Sequence, residues 1–163
     1  MKPKVYLESS VISYLTGRPS SSVVIAGNQI VTRQWWDNYR KNYDLYVSSS
    51  VIREIRGGDT NAAKARLQAI AGISSVQITN DLNDVVRALV AGGAVPPKAF
   101  EDALHIALSA TNGIDYLITW NCRHIANANT RRSIEVALRK MGYVCPIICT
   151  PQELLGENDD SQG

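Results

Sequence analysis

The sequence predicts an α/β fold in which a mainly parallel sheet of about five strands lies between two layers of helices. Short runs rich in β-branched and aromatic residues alternate with longer segments whose apolar residues recur at helical spacing. The chain has 163 residues, of which 45% are hydrophobic and 20% are charged, as expected for one globular domain with a substantial core. Such alternation is typical of a parallel sheet covered on both faces, a three-layer α/β/α arrangement.

Five runs are predicted to form the strands of this sheet. Each is short, bounded by polar residues or turn formers, and rich in Val, Ile, Tyr or Leu, as buried strands are. The runs are KVYLE (4–8), YDLYVS (43–48), SVQIT (75–79), DYLITW (115–120) and YVCPIIC (143–149).

The segments between these runs have the apolar spacing of helices. A proline opens the segment at 97–112, and glycines stand after the later segments, where helices commonly end. The predicted helical segments are 11–15, 30–39, 51–55, 62–71, 82–90, 97–112 and 131–141. The stretch GRPSSSVVIAGN (17–28) is rich in Gly, Pro and Ser and is therefore expected to be a mobile loop.

Several classes of protein are disfavoured by composition. The opening MKPKVYL lacks the apolar stretch of a signal peptide, and no run reaches the roughly 18 apolar residues of a membrane helix. We therefore expect a cytoplasmic protein that does not enter a membrane. The cysteines, Cys122, Cys145 and Cys149, form no CxxC pair, so we expect reduced core residues rather than disulfides. His124 follows Cys122 by two residues without a second such pair, which disfavours a zinc site.

Charge is distributed unevenly along the chain. Residues 151–163 contain four acidic side chains and no Lys or Arg, so we expect an acidic C-terminal tail that is disordered at its end. The predicted domain, residues 1–150, then has 17 basic and 11 acidic side chains, a net charge of +6. A modestly basic domain suits a polyanionic partner such as nucleic acid.

Polar side chains are expected to meet at one edge of the predicted sheet. In open parallel sheets, ligands bind at the carboxyl ends of the strands. Glu8 ends the first predicted strand, and Glu54 lies about one turn into the helix after the second. Asp102 lies in the first turns of the helix at 97–112, and Asn121 follows the fourth strand. The pattern therefore predicts that these four side chains lie close together.

These acids also have structural interpretations. Asp102 lies where acids commonly favour the dipole of a helix N-terminus, and Glu8 can be a surface loop residue. A capping box does not explain Glu54, because the residue three positions earlier is Val51 rather than Ser or Thr.

Clustered carboxylates repel one another unless a cation compensates their charge. Oxygen ligands favour Mg²⁺ or Mn²⁺, and such ions promote phosphodiester hydrolysis. The predicted metal ligands are Glu8, Glu54 and Asp102. Other polar residues are expected to support them: His105 to orient a neighbour, and Thr119 either to hydrogen-bond an acid or simply to end its strand. For Ser9 we favour a helix cap over contact with metal or substrate.

Four motifs, YLESSVISYL, SSSVIREI, EDALHIALSA and LITWNCRHIAN, occur in an order and on elements that resemble the PIN domain, in particular VapC-like toxins of bacterial toxin–antitoxin pairs. The resemblance covers roughly residues 4–150. It implies a Rossmann-like fold, Mg²⁺- or Mn²⁺-dependent endoribonuclease activity and inhibition by a small antitoxin protein.

The resemblance also assigns the site residues, with two departures. Glu8 stands where the family usually has Asp, Glu54 and Asp102 match the second and third acids, and Asn121 stands at the more variable fourth acid. Glu8 is longer by one methylene, and Asn121 keeps an oxygen but loses a charge, which makes a second metal less favourable. The main alternative is therefore a catalytically inactive PIN fold that binds RNA or protein.

Two further expectations concern partners and ligands. Trp35 and Trp36 lie on one helical segment with Tyr39, where aromatic spacing favours packing against a helix or a second subunit over stacking on RNA bases. We therefore expect a homodimer, since exposed aromatic surface on a lone domain promotes association. A nucleotide-binding α/β protein is disfavoured because no Gly-rich phosphate loop follows the first strand.

Overall fold

Five parallel strands form the middle layer of the protein, seen in a computed structural model that describes residues 1–156. Every neighbouring pair runs parallel, as the sequence predicts. The strands are β1 (Lys4–Leu7), β2 (Asp44–Val47), β3 (Ser74–Ser75), β4 (Tyr116–Ile118) and β5 (Ile147–Cys149), in the spatial order β3-β2-β1-β4-β5.

Helices cover this sheet in two groups that pack among themselves. The first four contact one another, as do the last three, as right-handed crossovers on opposite faces of a parallel sheet require. The helices are α1 (Ser9–Thr16), α2 (Val23–Asn38), α3 (Ser49–Ile55), α4 (Thr60–Ala69), α5 (Leu82–Ala91), α6 (Phe100–Thr111) and α7 (Ala128–Lys140). The expected three-layer α/β/α arrangement is confirmed.

The register of β1 against β4 positions the carboxyl ends of both strands at the same level. Val5 lies opposite Tyr116, and Leu7 lies opposite Ile118. The ladder continues one residue further, because the Glu8 amide donates to the Ile118 carbonyl at 3.1 Å. The residues that follow the two central strands therefore emerge side by side.

The core extends from the central strands into α6. Nearly all of α6 from Ala103 to Ala110 is buried, and only Leu104 in that range is partly exposed. β1 is buried along Val5, Tyr6 and Leu7, each with no exposed surface. α6 is therefore a central helix, and polar side chains on it lie against buried surface.

Three details differ from the sequence-based expectations. β3 contains two residues rather than the five of SVQIT. The Val76 amide still donates to the Val47 carbonyl, but the chain then leaves the sheet, and Gln77 pairs with Asn112 instead. The expected mobile loop at 17–28 is partly wrong, because the Ser22 hydroxyl accepts from the Ile25 amide and α2 begins at Val23.

The third difference is the environment of the aromatic segment. Trp35 is completely buried, and it packs near the Tyr43 ring with centroids 5.9 Å apart. Trp36 is partly buried, and the Arg40 guanidinium lies 4.7 Å from its ring centroid. Packing within the domain thus accounts for these tryptophans, and they do not form the exposed surface from which a dimer was expected.

Residues after β5 pack against the domain. A short turn of 3-10 helix covers Pro151–Leu154, with Pro151 buried and the Glu153 carboxylate accepting from the Thr150 amide at 2.8 Å. The segment contacts α2. The expectation of a disordered acidic end falls on residues 157–163, which lie outside the described residues. Within residues 1–156, no helix is long and apolar enough to cross a membrane.

Candidate active site

Glu8 is both the end of the first strand and the cap of α1. Its Oε2 accepts hydrogen bonds from the Ser10 amide at 2.9 Å, from the Ser10 hydroxyl, and from the Thr119 hydroxyl at 2.8 Å. The expectation that Ser9 or Ser10 caps α1 is therefore wrong, because the Glu8 carboxylate fills that role. Only 5% of Glu8 is exposed, and all these bonds fall on Oε2. Oε1 is thereby left to face other groups.

Ser9 is buried beside this carboxylate. Its hydroxyl has no hydrogen-bond partner of good geometry within residues 1–156, and only 8% of the residue is exposed. It nevertheless lies close enough to Glu54 to contribute to lowering the pKa of that carboxyl. A buried hydroxyl without a full partner is costly, so this atom points to a site that accommodates a further polar group.

Glu54 reaches the site from the last turn of α3. That helix begins after Ser48, whose hydroxyl accepts from the Val51 amide at 3.1 Å, so Glu54 lies on the second turn. Its Oε1 lies 2.5 Å from His105 Nε2, and a third of its side chain is exposed. Since Glu54 is the most accessible member of the site, it faces solvent and buried groups together.

His105 is held on both sides of its ring. Its Nδ1 lies 2.7 Å from the Tyr6 hydroxyl, which lies 2.7 Å from the Ser48 hydroxyl. His105 itself is completely buried. Burial raises the pKa of Tyr6, so its hydroxyl keeps its hydrogen. This chain of polar groups runs from Glu54 through the core to the start of α3 and fixes the orientation of the imidazole.

The charges of His105 and Glu54 stabilise each other. Burial alone would lower the pKa of His105, but the hydrogen bond and the negative charge of Glu54 outweigh it, with smaller contributions from Glu8 and Asp102, and the pKa is raised. Burial alone would raise the pKa of Glu54, and the bond to His105 reverses this, so that the pKa is lowered. Without a metal, the hydrogen bond between His105 and Glu54 therefore holds the two side chains together at the site.

Asp102 and Asn121 form a second pair at the same edge. The Asn121 side-chain amide donates to Asp102 Oδ1 at 3.0 Å. Asn121 Oδ1 accepts from the amides of Arg123 and His124, which fixes the turn after β4. The backbone amide of Asn121 donates to the Thr119 hydroxyl at 2.9 Å, and that hydroxyl donates to Glu8. Thr119 thus connects the two parts of the site, so the expectation that it hydrogen-bonds an acid is met at Glu8.

Three potential ligand atoms come together most closely. Within the described part of the chain, one atom from each of Glu8, Glu54 and His105 lies within 4.8 Å of the other two. Asp102 is outside this group and bonds to Asn121 instead. The predicted side chains do lie together at one edge of the sheet, but His105 rather than Asp102 lies nearest to Glu8 and Glu54. Cys122 and His124 do not belong to this group.

Sequence reasoning missed two supporting residues. Tyr6 lies within β1, where an aromatic residue reads as core, and Ser48 reads as a helix cap, which it also is. The signal for Ser48 was the SSS run at the end of the second strand. The contact of Tyr6 with His105, 99 positions away, had no local signal.

The donor set fits a divalent cation. Two carboxylates and an imidazole converge, the Glu8 and His105 members are buried, and the unpartnered Ser9 hydroxyl adjoins them. Carboxylates are usual protein ligands of Mg²⁺ and Mn²⁺, and an imidazole is a usual ligand of transition ions.

Comparison with known proteins agrees with this architecture. The order of the elements and the parallel sheet match the VapC-like PIN-domain fold. Among solved structures, the chain is similar to the Mycobacterium tuberculosis toxin VapC20, which is described as cleaving the sarcin–ricin loop. The TM-score is 0.53 and the sequence identity is 15%, over 74% of this chain and 92% of that one. No protein-family model and no curated protein sequence matches the chain.

Proposed function

We propose that this protein is a metal-dependent endoribonuclease that hydrolyses phosphodiester bonds of RNA and acts as the toxin of a type II toxin–antitoxin pair. The observation that supports it is the convergence of Glu8, Glu54 and His105 at the carboxyl edge of a parallel sheet. The fold is shared with an RNA-cleaving toxin. The net charge of +6 over residues 1–150 suits a polyanionic substrate.

The acids have distinct roles in this proposal. Glu8, Glu54 and Asp102 hold Mg²⁺ or Mn²⁺, and the bound ion would supply positive charge to the scissile phosphate and acidify a water molecule. Glu8 is suited to this because Oε2 is occupied by protein donors while Oε1 is not. Glu54 has the exposure needed to meet solvent and substrate.

The other residues position these groups. Thr119 fixes the Glu8 carboxylate, and His105 fixes Glu54. Asn121 holds Asp102 through its amide group and would orient a water molecule. Ser9 has a buried hydroxyl without a full partner, which lies beside Glu54 and would donate to that carboxylate or to substrate at the site.

The test is cleavage of labelled total RNA by purified protein with Mg²⁺ or Mn²⁺, repeated with EDTA. Cleavage that requires the metal and is lost in Glu8→Gln supports the proposal. Absence of metal-dependent cleavage, after removal of any bound antitoxin, overturns it in favour of an inactive PIN-fold module that binds RNA or protein.

The proposal also includes a small antitoxin partner and action in the cytoplasm, where the RNA substrates are. A short neighbouring gene whose product copurifies with this chain and suppresses its toxicity would support this part. If the chain is toxic and no coexpressed neighbour suppresses it, the toxin–antitoxin part fails while the nuclease part stands.

We further propose a homodimer, now on the basis of α2 rather than of the tryptophans. The first two turns of α2 expose Val23, Val24 and Ile30, which are 87%, 72% and 57% exposed. Apolar side chains so exposed on one helix favour association with a second copy.

A further inference from the structure

The imidazole of His105 was expected only to orient a neighbour, but it lies close to two acids of the site. One ring nitrogen lies 2.5 Å from Glu54, and one ligand atom from each of His105, Glu54 and Glu8 falls within 4.8 Å of the others. Ligand atoms around a six-coordinate ion with bonds of about 2.1 Å lie about 3.0 to 4.2 Å apart. Small shifts of the partly exposed Glu54 side chain would therefore allow all three atoms to bind one ion.

We propose that His105 is itself a metal ligand through Nε2, so that one imidazole joins the carboxylates proposed above as ligands of the ion. This inference rests on the proposed metal-dependent function and adds the identity of a ligand. The buried surroundings of His105 support it. With only 1% of its side chain exposed, the ring has no room to turn away, and Nε2 faces the acids.

The environment of the opposite ring nitrogen matches that of a metal-bound histidine. Such a histidine almost always donates its other N–H to a fixed acceptor, which sets the tautomer and the ring orientation. Here the Tyr6 hydroxyl lies 2.7 Å from Nδ1 and is backed by the Ser48 hydroxyl at 2.7 Å. When Nε2 binds a metal, Nδ1–H needs an acceptor, and the Tyr6 hydroxyl is already present and buried in that position.

The hydrogens along this chain can be arranged in two ways. With Nε2–H donating to Glu54, the Ser48 hydroxyl donates to Tyr6 and the Tyr6 hydroxyl donates to Nδ1. With Nε2 free to ligate, Nδ1–H donates to Tyr6 and Tyr6 donates to Ser48. The Ser48 oxygen accepts from the Val51 amide in both arrangements and has a second lone pair for Tyr6. The same positions of the heavy atoms therefore serve with and without an ion.

An imidazole ligand changes which ions the site prefers. Imidazole suits borderline transition ions, whereas Mg²⁺ is bound chiefly through oxygen. The expectation of an all-oxygen site, from which Mg²⁺ and Mn²⁺ appeared equivalent, is replaced by a preference for Mn²⁺ and related ions. We expect the Kd for Mn²⁺ to be lower than that for Mg²⁺ by about tenfold or more.

The test uses Mn²⁺ as a spectroscopic probe, independent of activity. Electron spin echo modulation of the Mn²⁺-loaded protein should show coupling to one ¹⁴N nucleus, which changes to ¹⁵N coupling when histidine alone is ¹⁵N-labelled. The chain has two histidines, so His124→Gln should retain the coupling and identify His105 without a substitution in the core. His105→Gln, if it folds, should abolish the coupling.

Each outcome decides the question. Histidine coupling that survives His124→Gln supports the inference. Stoichiometric Mn²⁺ binding without histidine coupling, or coupling lost in His124→Gln, overturns the inference and leaves the proposed nuclease function intact. Absence of any Mn²⁺ binding overturns both the inference and the metal-dependent part of the proposed function.

Discussion

The Thr119 hydroxyl donates a hydrogen bond to Glu8 Oε2 at 2.8 Å across a sequence separation of 111 residues. The Thr119 hydroxyl oxygen in turn accepts from the backbone amide of Asn121 at 2.9 Å. Thr119 is completely buried, so both bonds are shielded from water. One hydroxyl therefore fixes the acid that caps α1 and the residue that holds Asp102.

Thr119→Val should reduce both stability and activity. The substitution keeps the shape but removes a donor to Glu8 and an acceptor for the Asn121 amide, at a cost of about 2 kcal/mol or more in free energy of unfolding. Urea denaturation checks the loss. Thr130→Val is the matched control, because the Thr130 hydroxyl makes one long bond of 3.3 Å at the start of α7. Equal losses in both variants would contradict a special role for Thr119.

Glu8→Gln should leave the fold intact and abolish metal-dependent cleavage. The Gln side-chain oxygen can take the place of Oε2 and keep the bonds from Ser10 and Thr119, while the amide group replaces the free Oε1. We expect stabilisation by Mn²⁺ to shrink, since ligand-linked stability depends on affinity for the folded state. Melting temperatures with EDTA and with Mn²⁺ measure this.

Glu101→Gln is the control for that experiment. Glu101 lies one position from Asp102, but its carboxylate pairs with Arg53 at 2.8 Å and both side chains are at least half exposed. Exposed pairs contribute about 0 to 1 kcal/mol, so cleavage and Mn²⁺ stabilisation should change little. If Glu8→Gln and Glu101→Gln behaved alike, Glu8 would be only the cap of α1.

Asn121→Asp should lower the stability of the metal-free protein and raise the affinity of the site for metal. The carboxylate retains an oxygen for the Arg123 and His124 amides but places a second negative charge about where the amide now lies, 3.0 Å from Asp102. Like charges at this distance repel. The melting temperature should fall in EDTA and rise more steeply with Mn²⁺ than that of the parent protein. A lower melting temperature in EDTA with no gain in Mn²⁺ response would place Asn121 outside the metal site.

The three thiols should differ in their reaction with a disulfide reagent. Burial raises the pKa of Cys149 to about 12 and that of Cys145 to about 11, whereas Cys122 is exposed. Because the thiolate is the reactive form, the two raised pKa values suppress reaction at pH 8 and let it accelerate as the pH rises. We expect one fast thiol, lost in Cys122→Ser. Two fast thiols in the native protein would contradict the burial of Cys149 in β5 and of Cys145 just before that strand.

Replacing the exposed apolar residues of α2 should yield a monomer that is otherwise unchanged. Val23→Lys combined with Ile30→Lys alters two side chains that contact solvent, so the free energy of unfolding of the domain itself should change little. Light scattering should report a dimer for the parent protein and a monomer for the variant. A parent protein that is monomeric at micromolar concentration would exclude the proposed dimer.

The sequence predicted the sheet and the meeting of polar side chains at one of its edges because both depend on local patterns. Alternating strands and helices imply a parallel sheet, and parallel strands bring their carboxyl ends together, so Glu8 and Asn121 were assigned to one edge correctly. The extent of β3 was predicted wrongly because an edge strand pairs on one side only, and Gln77 pairs with Asn112 instead of continuing the strand.

The finer features of the site depend on tertiary contacts. Glu is an unusual helix cap, and Glu8 fills that position with support from Thr119, a residue 111 positions away. His105 follows Asp102 by three residues, so both were placed on one helix face, but the approach of His105 to Glu54 is fixed by Tyr6 from β1. No periodic pattern in the sequence predicts that contact.

The pairing of β1 with β4 has a consequence for synthesis of the protein. The partner of β1 at Tyr116–Ile118 and the Thr119 hydroxyl follow β1 by about 110 residues in the chain. At translation rates of about 5 to 20 residues per second, the ribosome adds them about 6 to 20 s after β1. A nascent chain in that interval lacks the Thr119 bond to Glu8, so the proposed active site cannot assemble until β4 and Thr119 have been synthesised.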